Sequence, residues 1–151
     1  MQIRKAKLSE AEEIRRLVND FAREGLVLPR SLADVYENIR DFYVLTDGEE
    51  KLRGIAALHI VWQGWAEIRS VCVDGELRGK GYGKELVNAC INEARALGIK
   101  KLFSLTYIPD FFVKLGFGTE DKAELPHKVW ADCINCPQFP DCNEVAVILN
   151  L

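Results

Sequence analysis

A chain of 151 residues with 48% hydrophobic and 28% charged side chains can bury one sizeable core and has the composition of an ordinary globular domain. A net charge of −3 and a pI near 5.5 argue against nucleic acid as a partner, and no apolar stretch nears the ~20 residues of a membrane helix. Five cysteines, an odd number, and the absence of an apolar signal core behind Met1-Gln2-Ile3-Arg4-Lys5 argue for a reducing cytoplasm over an extracellular disulfide framework.

In chain order, Ile3 to Lys7 reads as a first strand. Ser9 and Glu12 have capping-box spacing, and Ile14, Leu17, Val18 and Phe21 make the stripe of an amphipathic helix ending near Gly25. Beyond the connector Leu26 to Arg30, Ser31 and Asp34 open a second short helix with Leu32, Val35, Tyr36 and Ile39 on its apolar side. Phe42 to Leu45, Leu52 to Trp62 and Trp65 to Val73 are strands joined by Thr46-Asp47-Gly48 and Gln63-Gly64, which implies an antiparallel meander. Leu86, Val87, Cys90, Ala94 and Leu97 share a helical face before a capping Gly98. Lys101 to Tyr107 is a strand parallel to its predecessor by the crossover rule. Pro109 starts a short helix, Asp110 to Leu115, closed by Gly116, and Glu144 to Leu151 is the final strand. The expected fold is α+β: one domain, residues 1–151, around a mixed, mostly antiparallel sheet flanked by helices.

The segment from Val71 to Lys84 organises this pattern. An apolar strand ends at Asp74, and the loop after it carries Gly79, Gly81 and Gly83 among Arg78, Lys80 and Lys84. A strand, a glycine loop and a helix start make an anion cradle, because glycine permits close backbone approach and the first N–H groups of the helix lack internal partners. A Walker loop is excluded because Glu85 follows Gly83-Lys84, and a dinucleotide fingerprint because the third glycine is misplaced. A phosphate-bearing ligand is expected.

The spacing Arg78-x-x-Gly81-x-Gly83 resembles the pyrophosphate loop of the Gcn5-related N-acetyltransferases (GNAT superfamily). Phe111-Phe112-Val113-Lys114-Leu115-Gly116-Phe117 resembles the helix ending in Leu-Gly-Phe that packs beside their cofactor. The resemblance runs over nearly the whole chain. It implies the acyl-CoA N-acyltransferase fold and acetyl-CoA as cosubstrate, bound by Val71, Cys72, Val73, Arg78, Gly79, Lys80, Gly81, Tyr82, Gly83, Lys84 and Phe112. The segments Leu28 to Leu32, Tyr36 to Phe42, Ala66 to Val73, Leu102 to Tyr107 and Leu125 to Trp130 look like N-acetylglutamate synthases of the short kind, without an amino-acid-kinase domain. That similarity implies direct acetyl transfer in a ternary complex to the α-amine of L-glutamate, the first step of arginine biosynthesis. The alternatives are another amino acid or a protein N-terminal amine as acceptor, or a CoA-binding sensor without turnover.

An amine must lose a proton before it attacks, and Glu67 is the leading candidate base; its plainer reading is a solvated strand carboxylate paired with Arg69. A β-bulge expected between Glu67 and Ser70 would bring both to one side of the strand, with a backbone N–H near Val71 facing the thioester oxygen. Phe112 stands where many relatives carry a Tyr acid. In the synthase branch Thr106 resembles the replacement, and Tyr107 is the next choice or packs on the short helix. For glutamate carboxylates the candidates are Arg30, then Arg69, then Lys128, with Ser70 beside them. His127, Cys133, Cys136 and Cys142 have zinc-ligand chemistry, though reduced structural thiols are the favoured reading. A homodimer through an exposed final strand is the family-level expectation.

Overall fold

Short turns and apolar alternation build the expected meander, and the flanking segments extend it into a wider sheet. The computed structural model describes residues 1–126 and 144–151. Its strands are β1 (Gln2–Lys5), β2 (Phe42–Thr46), β3 (Leu52–Trp62), β4 (Trp65–Val73), β5 (Lys101–Thr106), β6 (Gly118–Glu120) and β7 (Val145–Asn150). They form one sheet in the order β1-β2-β3-β4-β5-β7-β6, antiparallel at every pairing but β4–β5. The mixed α+β arrangement agrees with the sequence reading.

Helices α1 (Ala11–Arg23) and α2 (Leu32–Glu37) cover one face of the sheet, α3 (Tyr82–Ala96) and α4 (Pro109–Val113) the other. On the first face Ile14, Val18 and Val35 pack on Phe42, Val44, Ile55 and Ala57. On the second, Leu86, Val87, Cys90 and Ala94 pack on Ala56, Leu58, Ala66 and Ile68. Strand alternation lets β3 contribute to both sets, Ile55 and Ala57 to one face and Ala56 and Leu58 to the other. Ser31 caps α2 by accepting from the Asp34 N–H at 3.1 Å, as its position suggested. No described helix is long and apolar enough to cross a membrane.

Two expectations need correction. The final strand is not an exposed edge: β7 lies between β5 and β6, so it offers no free edge for dimer pairing. The covering strand β6 is short and wholly exposed, with no apolar alternation to announce it. The cap before α1, in turn, is not built from Ser9 and Glu12. A 3₁₀ turn at Leu8–Glu10 precedes the helix, and the buried Glu10 carboxylate accepts from the Lys7 N–H at 2.8 Å. Arg4 draws Glu10 inward, donating through Nη1 and Nη2 at 2.9 and 2.8 Å to its two oxygens.

This fork has a pH signature. The hydrogen bond from Arg4 holds the Glu10 carboxyl below its ordinary value. Its contribution is therefore complete above the unfolded carboxylate's value, about 4.3, and is lost as pH falls through the lower folded one. Glu10→Gln should destabilise the chain by about 1.5–3 kcal/mol at neutral pH, the range for hydrogen bonds to charged groups. Urea unfolding should show the gap between wild type and variant closing below about pH 4.

Candidate functional site

β4 is the strand on which the site is built. In its first half Ala66 and Ile68 face the α3 core, which leaves Glu67 and Arg69 on the α1/α2 side. Past Ser70 the alternation inverts: Val71 and Val73 reach the α3 side, and Cys72 sinks into the α1/α2 core. The inversion is a β-bulge. Arg69 pairs with Ala57 and Cys72 with Ile55, so Ser70 and Val71 together oppose Ala56. The bulge expected between Glu67 and Ser70 thus falls on Ser70 and Val71, and Ser70 adopts a positive φ of 55° there. On the other edge β4 holds β5 only through Trp65–Lys101, Ala66–Leu102 and Glu67–Phe103. Beyond these pairs the strands part, and the Ser104 hydroxyl donates to the Ile68 carbonyl at 2.9 Å across the opening.

The glycine loop lies beside this opening. A cavity of about 440 Å³ is walled by Val71 and Val73, by Arg78, Gly79, Gly81, Gly83 and Lys84, and by Phe21, Leu26, Ile108 and Phe111. Its volume is that of a small-molecule pocket. α3 begins here with no side chain capping its first turn, so its leading N–H groups are available to an anion. Gly81, the N-cap, has φ +87°, and a Cβ there would meet nothing within 4 Å. Backbone conformation and open approach, not internal crowding, make this position glycine. Arg78 lies 5.9 Å above the Phe21 ring and 4.0 Å from Glu24, both groups of the ion pair well exposed. An apolar wall with a cationic rim suits a phosphate-bearing ligand with a long neutral arm.

A polar strip occupies the α1/α2 side of the same strands. The Arg30 side chain is only 8% exposed; its Nε donates to Asp34 at 2.6 Å, its Nη1 to the Ser70 hydroxyl at 3.3 Å, and its plane lies 4.8 Å from the Phe42 ring. Arg69 Nε donates to Glu67 at 2.6 Å. His59, the cross-strand partner of Glu67, holds Asp41 through Nδ1 at 2.6 Å. Arg30, Ser70, Arg69 and Glu67 are thereby brought to one face, and Asp41 and His59 join them without having been expected.

The other candidates lie in different settings. Cys72, expected at the cofactor, points its side chain into the α1/α2 core, where burial pushes its thiol up to about 12. Phe112 is 2% exposed in the α3 core, and its neighbour Phe111 lines the cavity. Lys80 is exposed and not part of the cavity wall. Glu67 is paired with Arg69, as its plainer reading had it, but buried rather than solvated. Thr106 is buried on the α3/α4 side, and its oxygen accepts from the Ile108 N–H at 2.9 Å. Tyr107 is half-buried just past β5. Lys128 and the zinc candidates His127, Cys133, Cys136 and Cys142 lie outside the described residues.

Residues 11–117 match the pattern of the Acetyltransferase (GNAT) family. The chain belongs to that family. A Chlorobaculum tepidum protein described as an uncharacterized N-acetyltransferase is 36% identical over 149 residues, covering 99% of this chain and 96% of the relative. An amino-acid acetyltransferase of Mycobacterium tuberculosis is 34% identical over 129 residues, 82% of this chain and 74% of the relative. The N-acetylglutamate synthase from Neisseria gonorrhoeae, complexed with coenzyme A and N-acetyl-glutamate, superposes with a TM-score of 0.91 at 28% identity over 99% of this chain, which spans 35% of that protein. The sheet and its helices are therefore the GNAT fold, and acetyl-CoA is the cosubstrate of this GNAT acetyltransferase.

Gly81→Val should combine left-handed strain with a side chain at the phosphate approach. The KM for acetyl-CoA should rise by at least about tenfold while that of the acceptor hardly moves, as initial-rate kinetics with each substrate varied would read.

Proposed function

We propose that this GNAT acetyltransferase transfers acetyl from acetyl-CoA to the α-amine of L-glutamate, directly, within a ternary complex. The observation that carries the reading is the buried Arg30 guanidinium. It is fixed by Asp34 and by the bulge residue Ser70, at the point where the polar strip meets the opened strands. A guanidinium held this way keeps N–H groups of its fork for a carboxylate while its orientation is already set. The likeness to amino-acid acetyltransferases supports an amino-acid acceptor. Residues 1–151 would act as one acetyltransferase domain, in the cytoplasm, as the odd cysteine count suggests.

In this reading the acceptor lies along the α1/α2 side and the thioester enters through the gap between β4 and β5. Glu67 receives a proton from the ammonium, directly or through water. The neutral amine attacks the thioester carbonyl, and a backbone N–H at the bulge near Val71 faces the developing oxyanion. The C–S bond then breaks, and the second amine proton ends on the thiolate. The Thr106 hydroxyl accepts at its oxygen and so keeps its own hydrogen for the leaving sulfur. Base and donor stand on opposite faces of the sheet, each beside its own substrate.

A thiol-release assay over a panel of amino acids and N-terminal peptides tests the acceptor: glutamate should give the highest kcat/KM, and a preference for a neutral or cationic amine would reject it. Arg30→Ala should raise the glutamate KM by the equivalent of about 2–4 kcal/mol and leave the acetyl-CoA KM in place. Comparing glutamate with glutamine in the same variant tells which carboxylate is read: loss of preference marks the side chain, parallel weakening the α-carboxylate. Glu67→Gln should lower kcat by about 10²–10⁴-fold, with partial recovery at high pH where free amine is present.

A further inference from the structure

Glu67 is badly placed to be the last holder of the proton it receives. Its side chain is 9% exposed and Arg69 holds one oxygen at 2.6 Å. A carboxylate against a guanidinium is a poor resting place for a proton, because the nearby positive charge favours its ionised form. Directly across the ladder from Glu67 stands His59, on the same face of the sheet. Paired residues of this kind have Cβ atoms about 4.5–5.5 Å apart. The His59 Nδ1 lies 2.6 Å from the Asp41 carboxylate, while Nε2 has no hydrogen-bond partner among the described residues. The side chains of His59 and Asp41 are 26% and 22% exposed, so this pair, unlike Glu67, reaches water.

An imidazole fixed through Nδ1–H by a carboxylate presents its Nε2 lone pair in a set direction, and the carboxylate balances the imidazolium that forms. We infer that Asp41 and His59 are the proton outlet of the acceptor site. This inference rests on the proposed reading of the α1/α2 side as the place where an amine is deprotonated. The ammonium N–H bond breaks and its proton reaches His59 Nε2 through Glu67 or a bridging water; the pair left on nitrogen forms the bond to the thioester carbon. The imidazolium then releases the proton to solvent, and Glu67 is again the unprotonated carboxylate beside Arg69. Asp41 is a positioning residue: it touches His59 and not the acceptor. Asp41 meets the ring from the turn before β2, and on β4 Glu67 stands opposite His59 with Arg69 on the diagonal.

A cross-link serving only to tie the Ile39–Asp41 turn to β3 would use the same contact, so the test reads proton transfer itself. With the acceptor that wild type turns over fastest, His59→Ala should lose kcat by about 10²-fold, the lower end for a positioned base, with little change in either KM. Added imidazole should restore part of the loss in proportion to its free-base concentration. Asp41→Asn should lower kcat without rescue, because its imidazole is still in place. If His59→Ala does not fold, His59→Gln keeps a polar side chain of similar reach and should show the same kcat loss with both KM values retained. Unchanged kcat, or a loss that imidazole leaves untouched, would make the pair a structural tie. Wild-type preference for an amine other than glutamate would overturn the preceding proposal and leave this one to the same variants; absence of turnover with every amine would overturn both.

Discussion

One extra residue in β4 is the constraint on which the rest depends. Without it, the residues that face α3 in the first half of the strand would go on doing so, and β4 could keep β5 beside it to the end. With it, the strand turns over at Ser70, Val71 and Val73 become a wall of the cofactor cavity, and the β4–β5 ladder stops at Glu67. The cost is local: a non-glycine residue at φ +55°, a conformation about 1–2 kcal/mol above its ordinary range. Arg30 bonding to the Ser70 hydroxyl contributes to holding it there.

The bulge also separates two chemistries that would interfere. The cofactor side is apolar with cations at its rim, where phosphate can be held by backbone N–H groups and surface charge. The proposed acceptor side carries two close ion pairs, Arg30 with Asp34 and Arg69 with Glu67, and the hydrogen-bonded His59–Asp41 pair. Each cation there already has an acid, so what the strip offers an acceptor is oriented hydrogen-bond donors rather than uncompensated charge. Orientation of that kind is what catalysis asks of a site, since donors fixed beforehand need not reorganise as charge moves.

Much of this was legible in the chain because local rules governed it. β3 and β4 have the bounds that apolar runs and the Gln63-Gly64 turn assign them, and the glycine loop and helix start stand where their spacing put them. What escaped was decided by distant contacts. The Asp41–His59 pair depends on the register of β2 against β3, and a lone strand histidine carries no spacing to reveal it. Whether Phe111 or Phe112 meets the cavity depends on how a five-residue helix is rotated, which its own aromatic run cannot specify. Which face the Cys72 side chain takes depends on the bulge before it, since one extra residue exchanges the faces of everything that follows.

Leu26 lines the cavity beside the glycine loop, and Arg30, four residues later, is clamped in the polar strip proposed for the acceptor, with its backbone N–H donating to Asn19 at 3.1 Å. Four peptide units span at most about 14 Å, so in the proposed reading donor and acceptor would meet the two ends of one short tether. A ligand that settles either end lowers the entropy still to be lost at the other. By the reciprocity of linked equilibria, any help that acetyl-CoA gives the acceptor in this way is returned to acetyl-CoA in equal measure.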